Sequence, residues 1–391
     1  GTVVTGTVIS GKVRRGDALE IYPLGRMTTA RNIQIHNRGA GEAEAGHRVG
    51  LNLANVKVED LKRGMVLGAP QSLISTHLMN ARFQYLPSNL HPLHNRIKVK
   101  LYSRTSEVIT RIIFVEKEEL FPGEDCFVQF RLEKKVTLSP YDRYIVRTLS
   151  PKTTIGGGII LETNPWKYRS GRPETVDHLH VFERKITHEM VEALIKKEKT
   201  SPVRLADLAR KLSLTLTEIE TACARLLEAG SVLLVNEGSV IHKEPYEQLK
   251  TVLLEAINNF HARNRSQKDA SQEEIRSKLS PLLNQRLYEA VLQELRNEEA
   301  IEMQQGRIRM PGFRVKLGEK QKYVYDHLEA ICKEYHFRPL PLNVFQRIKD
   351  RYGERDVEGV VRLMIGEGRL IKLNNRRLIH SKSIDEFKAV L

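Results

Sequence analysis

The feature that most constrains the fold of this chain is an internal repeat in its C-terminal half. Three times an amphipathic helical segment runs into a short hairpin of apolar strands, at residues 226–243, 295–312 and 364–382. The hairpin turns are roughly 70 residues apart, and each hairpin follows two or three shorter helical segments. Units of this length and composition are typical of winged helices, with a generic α+β repeat as the alternative.

The hydrophobic period in this half is 3.6 residues, which predicts helices that bury one face. One predicted apolar face consists of Leu216, Ile219, Cys223, Leu226 and Leu227. A second consists of Val357, Val360, Val361, Met364 and Ile365. Two capping boxes are predicted at helix starts, Thr217 with Glu220 and Ser271 with Glu274.

The N-terminal 173 residues follow a different pattern, with short β-branched runs separated by Gly, Pro and Asp turns. Many short strands without long helical segments predict barrels or sandwiches. A break near 71–80 divides this part in two, and the Pro-, Gly- and charge-rich stretch 164–175 is typical of a linker. The run 156–158, three consecutive glycines, favours close backbone approach inside a barrel.

Positive charge is concentrated at the two ends of the chain. The net charge of +15 divides into +4 for residues 1–70, +6 for 71–175, zero for 176–243, −1 for 244–312 and +6 for 313–391. A surface made basic for general solubility would not need this division. We therefore expect two contact regions for polyanions, joined by a neutral spacer.

Several classes of protein are disfavoured by what the sequence lacks. The three cysteines form no C-x-x-C pair and have no histidines at zinc-ligand spacing, which favours buried thiols in a reducing cytoplasm. No apolar run is long enough to predict a membrane span. The opening GTVVTGTV has phosphate-loop spacing but places Thr7 where the lysine belongs, and no nucleophile–base set is evident. We expect no enzymatic activity and no metal site, and Gly1 in place of Met suggests part of a longer protein.

The N-terminal strands resemble a known family. GTVVTGTVISGKVRRGDALEIYP (1–23) and AGHRVGLNLANVKVEDLKRGMVL (45–67) resemble the second domain of elongation factor Tu and its relatives. LSPYDRYIVRTLSPKTTIGGGIIL (138–161) resembles the end of the third domain in the selenocysteine-specific branch. In bacterial members of that branch winged helices follow the barrels, as the repeat predicts here.

The resemblance implies a function in translation. Such a factor, with GTP and Mg, carries selenocysteinyl-tRNA to the ribosome, and its C-terminal winged helices bind an mRNA hairpin beside a recoded UGA codon. The family's GTPase domain and its last winged helix have no counterpart in these residues. We accordingly expect no cofactor in this chain, and a cytoplasmic monomer that binds selenocysteinyl-tRNA, an mRNA hairpin and the ribosome, and no membrane.

The predicted fold class is multidomain, with two all-β elongation-factor-type barrels followed by three α+β winged-helix modules. The predicted boundaries are 1–72 and 73–173 for the barrels, 174–243, 244–312 and 313–384 for the winged helices, and 385–391 for the start of a further module.

Arg48 corresponds to the position at which the family places an arginine near the selenocysteine side chain. A selenol is more acidic than a thiol, whose pKa is about 8.5, so it is ionised where a cysteine mostly is not. A cation about 4 Å from it contributes on the order of 4 kcal/mol at an effective dielectric near 20. An ordinary solvated arginine on a barrel strand is the alternative.

Other basic residues are candidates for RNA contact, with a solvated basic face as the alternative. The predicted tRNA-binding residues of the second barrel are Lys134, Lys135 and Arg143. The predicted hairpin-binding residues of the third winged helix are Arg347, Lys349, Arg351, Arg369, Lys372, Arg376 and Arg377. Trp166, the only tryptophan, is predicted to hold the linker rather than to stack on a base.

Two rival functions remain open, a winged-helix regulator that binds DNA and a protein-interaction scaffold. The third helix of the last module, ERDVEGVVRLMIGEG, is mixed in charge, whereas a helix reading DNA bases needs Arg, Asn and Gln. Contact through the wing suits folded RNA, because side chains do not enter the deep major groove of an RNA helix.

Overall fold

The computed structural model describes residues 1–168, 173–236, 238–264, 267–279, 283–315, 317–373 and 377–390. The chain divides into two compact units. The first comprises Gly1–Glu198 and Pro202–His242, and the second Lys199–Ser201 and Lys243–Leu391.

The first barrel-type domain consists of eight strands and a short 3-10 helix at Val58–Asp60. The strands are β1 Thr2–Thr7, β2 Lys12–Arg14, β3 Ala18–Tyr22, β4 Arg26–Ile35, β5 Arg38–Ala40, β6 Glu42–Glu44, β7 Arg48–Leu53 and β8 Val66–Gly68. The main sheet has the order β1-β7-β4-β3-β8 with β5 beside β4, and β2 pairs with β6. Val13 of β2 and Ala43 of β6 are buried with Ile33 and Leu51 of the main sheet, so the two sheets enclose one core.

The second barrel is a closed cycle of six strands with the order β11-β12-β14-β9-β16-β15. The six strands are β9 Ser75–Tyr85, β11 Lys98–Ser103, β12 Ser106–Phe114, β14 Asp125–Thr137, β15 Arg143–Arg147 and β16 Thr154–Thr163. Two short strands outside the cycle, β10 Leu93–His94 and β13 Glu119–Leu120, pair with each other. A Cβ on Gly157 of β16 would lie 2.6 Å from the Tyr144 carbonyl oxygen, a spacing that real Cβ atoms do not adopt. The predicted close approach at the glycine run is therefore confirmed.

The first winged helix packs on the second barrel through a shared core. Its elements are α1 Pro173–Arg184, α2 Thr187–Lys197, β17 Val203–Arg204, α3 Leu205–Leu212, α4 Leu216–Glu228, β18 Val232–Asn236 and β19 Ser239–His242. Phe127 and Leu161 of the barrel are buried in one cluster with Leu179 and Phe182 of α1. The predicted linker 164–175 thus leads directly into a helix fixed to the barrel, although residues 169–172 lie outside the described part.

A buried ionic cluster, which we call the Glu162 joint, lies in the same interface. Glu162 at the end of β16 is 7% exposed, and its carboxylate accepts from Lys197 Nζ at 2.9 Å. His178 Nε2 of α1 lies 3.3 Å from the same carboxylate, and the Tyr168 hydroxyl is 3.0 Å from Lys197 Nζ. Burial alone would raise the pKa of Glu162, but hydrogen bonding with His178 and the charge of Lys197 hold it at about 2.

The second unit repeats the winged-helix pattern twice. The first copy has α5 Lys243–Arg263, β20 Ala270–Ser271, α6 Gln272–Lys278, α7 Gln285–Asn297, β21 Glu302–Gln304 and β22 Arg307–Arg309. The next has α8 Glu319–Glu334, α9 Leu342–Tyr352, α10 Glu354–Gly366, β23 Leu370–Lys372 and β24 Leu378–His380, and α11 follows at Ser381–Val390. The three predicted helix–hairpin repeats are confirmed, and α11 begins directly after the last hairpin, at Ser381.

The predicted helix starts are only partly right. Ser271 caps α6 as expected, with Glu274 N donating to its hydroxyl at 3.1 Å. The other capping box was predicted two residues too late, because α4 begins at Leu216 and its cap is formed by Thr215 and Glu218. That start leaves Leu216 half exposed, and Leu227 is also exposed, while the central residues of the predicted face are buried.

Candidate nucleic-acid interfaces

Arg48 lies on an open polar face of the first barrel. It begins β7 opposite Thr7 of β1, and the next residue, Val49, is buried in the core. Because side chains alternate along a strand, Arg48 and Gly50 share the outer face. A Cβ on Gly50 would meet only Gln34, at 3.9 Å, so the surface beside Arg48 has room for a ligand group.

The Arg48 side chain is exposed and forms no hydrogen bond or ion pair within the described ranges. Some other cations of this barrel are neutralised, as in the Lys12–Glu44 pair at 2.6 Å. Arg38 of β5 lies near the same end of the sheet, because Ile35 pairs with Arg38 on one side and with Val49 on the other. An unneutralised guanidinium on an open face can bind an anionic group, and its role in a selenocysteine pocket stays a prediction.

The three predicted tRNA-binding residues lie at two separate places on the second barrel. Lys134 and Lys135 are exposed in a bulge of β14, where the pairing with β9 skips from Arg131 to Val136. Arg143 is exposed at the start of β15. Because β14 and β15 are three strands apart in the six-stranded cycle, the barrel does not bring Arg143 next to the two lysines.

Helix α9 of the third winged helix exposes two of its three predicted cations. Arg347 and Arg351 are one turn apart and exposed, and neither forms an ion pair within the described ranges. Lys349 instead lies 2.7 Å from a Glu358 carboxylate oxygen and 3.0 Å from one of Glu354. The hydrogen bond with Glu358 is the main cause that raises the pKa of Lys349. This side chain therefore offers little free charge to a phosphate, which the sequence analysis did not anticipate.

The wing presents Lys372 and Arg377 as exposed cations at the end of β23 and just before β24. Arg369 is also exposed, and its guanidinium lies 3.7 Å from Glu329 of α8. The remaining predicted wing residue, Arg376, lies outside the described residues. The wing therefore keeps a basic surface of its own.

Helix α8 is contacted on two faces, by the end of α9 and by the segment before the wing. Tyr323 of α8 packs against Tyr352 at the end of α9, with ring centroids 5.8 Å apart. Two residues further on, the Tyr325 hydroxyl donates to Glu367, just before the wing, at 2.7 Å. Residues two apart on a helix point in nearly opposite directions. Tyr352 of α9 and Glu367 before the wing consequently contact different faces of α8.

Sequence reasoning missed an aromatic cluster beside Arg351, formed by Tyr323, His327 and Tyr352. The three ring centroids are 5.8 to 6.1 Å apart. Tyr323 is 58% exposed. Two rings four residues apart on a helix were a visible signal, but the contribution of Tyr352 depends on how α8 and α9 pack.

Trp166 lies beside the Glu162 joint. Its carbonyl oxygen accepts from Gln129 Nε2 at 2.9 Å, and Lys197 Nζ lies 5.9 Å from the indole centroid.

Within the ranges described above, no group of three or more His, Cys, Asp and Glu residues could hold a metal ion. No helix in those ranges is long and apolar enough to cross a membrane.

Three family models match this chain in the order of its domains. Residues 1–68 match elongation factor Tu domain 2, and residues 80–167 match the β-barrel domain of the selenocysteine-specific elongation factor. Residues 254–310 match the winged helix of elongation factor SelB.

Whole-chain similarity agrees with these matches. The chain is 26% identical over 396 aligned residues to the selenocysteine-specific elongation factor of Desulfomicrobium baculatum, an alignment that covers 99% of this chain and 61% of the relative. The corresponding factor of Escherichia coli K12 is 21% identical, with 85% of this chain and 51% of the relative covered. This chain thus spans between half and two thirds of the relatives' lengths.

A solved structure shows the same fold. The crystal structure of a bacterial selenocysteine-specific elongation factor, EF-Sec, aligns with 100% of this chain and 58% of its own, at a TM-score of 0.61 and 18% identity. Three findings agree. The family models match in the order of the domains, the relatives align over most of this chain, and the solved structure has the same fold. In domain order, in sequence and in fold, this chain is similar to the selenocysteine-specific elongation factors.

Proposed function

We propose that this chain is the RNA-binding part of a factor that incorporates selenocysteine at recoded UGA codons. In this proposal the barrels bind selenocysteinyl-tRNA, and the third winged helix binds an mRNA hairpin at the ribosome. The observation that carries the proposal is the distribution of cations without ion pairs in the described ranges. Arg48 lies on the first barrel, while Arg347 and Arg377 lie on a module of the second unit.

The charge of α10 favours RNA over DNA as the ligand of the third winged helix. This helix occupies the place of a DNA-reading helix, yet its first turns contain Glu354, Asp356 and Glu358. These carboxylates are paired with Lys349 and Lys320 and are hydrogen-bond acceptors, whereas a winged helix that reads the major groove needs donors at that end. Lys372 and Arg377 on the wing can contact the backbone of a folded RNA without entering a groove.

GTP hydrolysis, in this proposal, is supplied by a GTPase domain outside these 391 residues. The N-terminal glycine-rich stretch places Thr7 at the position of the phosphate-binding lysine, and this residue lies in strand β1 rather than in a loop before a helix. We therefore propose that the chain by itself binds RNA without catalysing a reaction and requires no GTP or Mg for that binding.

A gel-shift comparison tests the proposal. The 391-residue chain is titrated into an RNA hairpin and into duplex DNA of equal length at salt concentrations from about 50 to 200 mM. We expect tighter binding of the hairpin. The logarithm of its binding constant should fall linearly with the logarithm of the salt concentration. Tighter binding of the duplex would support a DNA-binding regulator instead, and binding of neither at low salt would support a protein-interaction scaffold.

The wing is tested by its salt dependence. Replacing Arg377 by Ala should reduce the salt slope of hairpin binding by about one unit for each lost phosphate contact. Arg286→Ala is the matched control, because this exposed cation lies on α7 of the near-neutral second winged helix. Equal slopes for wild type and Arg377→Ala would remove the wing residue from the RNA interface.

A further inference from the structure

We propose that the aromatic cluster of Tyr323, His327 and Tyr352 is a stacking site for an unpaired nucleobase of RNA. This inference rests on the proposed function and adds to it a second kind of contact. The cations discussed above can hold the RNA backbone, whereas the rings would hold a base.

The geometry of the cluster suits a planar ligand. Tyr323 and His327 are one turn apart on α8, and their rings are 21° from parallel with centroids 6.1 Å apart. Tyr352 closes the cluster from the end of α9, at 5.8 Å from Tyr323 and 5.9 Å from His327. Three rings on two helices thus form one aromatic surface.

The cluster presents the Tyr323 ring to solvent, while His327 and Tyr352 are partly buried and anchor it on the module. Tyr352 packs against the hydrophobic core of the third winged helix, which includes Val324 and Leu328 of α8. Tyr323 points away from that core and is 58% exposed. A tyrosine that contributes so little burial stabilises the fold only slightly, and its ring face is available to a ligand.

The charge around the rings suits a polyanion. The Arg351 guanidinium lies over the Tyr352 ring at 5.3 Å from its centroid, and Arg347 is exposed one turn earlier on the same face of α9. The carboxylate of Asp350 accepts from Gln346, on the same helix, at 2.9 Å. Lys320 is held by Asp356 at 3.1 Å. Arg351 can therefore contact a phosphate next to a base that lies on the rings, and Arg347 can contact one further along α9.

The chemistry of the ligand follows from this combination. Aromatic surfaces flanked by arginines bind single-stranded or looped nucleic acid, because a base has to leave its duplex before its face is accessible. Each base stacked on an aromatic side chain contributes about 1–3 kcal/mol by alanine substitution. An unpaired base in a hairpin loop or bulge is accordingly the expected ligand.

The test uses the full 391-residue chain and an RNA hairpin with 2-aminopurine at an unpaired loop position. Stacking quenches this base, so wild type should quench its fluorescence on binding. Tyr323→Ala should bind about tenfold more weakly and lose most of the quenching. Its salt slope should match that of wild type, because no phosphate contact is removed. Tyr323→Phe keeps the ring and should behave as wild type.

Phe337→Ala is the matched control, since Phe337 is 51% exposed on the same module and lies outside the cluster. Binding and quenching by Tyr323→Ala equal to wild type would overturn the stacking site and leave the proposed function intact. An equal loss in Phe337→Ala would also overturn it. Absence of RNA binding by wild type itself would overturn the proposed function and the stacking site together.

Discussion

Gly158 shows how one residue type can be required by the barrel. A Cβ at this position would collide with the carbonyl oxygen of Arg82 on the neighbouring strand β9, a backbone atom that cannot rotate away. The Tyr144 hydroxyl donates to the same oxygen at 2.8 Å, so the space is already filled. The strands here approach each other as closely as glycine allows.

Replacing Gly158 by Ala should therefore destabilise the second barrel. Overpacking a filled site typically lowers the free energy of unfolding by about 1–3 kcal/mol. Urea unfolding measures the change, and Gly6→Ala is the control, because a Cβ there has no neighbour within 4 Å. Equal unfolding midpoints for Gly158→Ala and wild type would show that the strands separate without loss.

Arg48 has a prediction that concerns selectivity. In a complete factor, Arg48→Ala should narrow the affinity gap between selenocysteinyl-tRNA and seryl-tRNA, because a cation favours an ionised selenol over a neutral hydroxyl. Arg48→Lys should retain part of the gap. Arg63→Ala removes another exposed arginine of the first barrel and should leave the gap unchanged. An unchanged difference in affinity between the two tRNAs in Arg48→Ala would mean that Arg48 is an ordinary solvated arginine and does not contact selenocysteine.

At the scale of elements, the Glu162 joint links β16 to helices α1 and α2. Removing one member of a buried ion pair leaves the other charge buried without compensation, at a cost of about 3–5 kcal/mol. We expect a loss of this order for Lys197→Ala. Lys57→Ala should lose less than about 1 kcal/mol, because the Lys57–Glu59 pair is exposed. Trp166 fluorescence reports the transition locally, since the indole lies beside Lys197.

The same joint predicts a dependence on pH. The pKa of Glu162 is about 2 in the folded protein and about 4.5 for a free glutamate, so folding favours its ionised form. Its contribution to stability is present above pH 4.5 and is lost as the pH falls towards 2. Unfolding midpoints between pH 6 and about pH 2.5 should therefore fall more steeply for wild type than for Glu162→Gln. An equal fall of the unfolding midpoint with pH in wild type and Glu162→Gln would mean that the pKa of Glu162 is the same in the folded and unfolded protein.

At the scale of the whole molecule, the neutral middle predicts two independent RNA contacts. Lys134→Glu combined with Lys135→Glu should weaken tRNA binding and leave hairpin affinity unchanged. Arg369→Glu combined with Arg377→Glu should do the reverse, because Debye screening confines each change to about 10 Å at 0.1 M salt. Filter binding with each RNA measures both affinities. A double variant that weakens both RNAs equally would contradict two separate contacts.

The sequence by itself determined the order and type of the domains. Strand alternation, helical periodicity and hairpin turns depend on residues close together in the chain, so the barrel-type strands and the three helix–hairpin units were predictable. The glycine run and the cap at Ser271 were equally local signals. The division of net charge into two basic ends is a property of composition and needs no coordinates.

Tertiary structure decided which side chains meet. It neutralised Lys349 with Glu354 and Glu358, and it brought Tyr352 of α9 onto Tyr323 of α8. It also buried Glu162 against two helices of the next module. The residues in these contacts are far apart in the sequence, so no hydrophobic period predicts that they meet. The contacts depend on how separate elements pack and on which charged groups are buried by that packing.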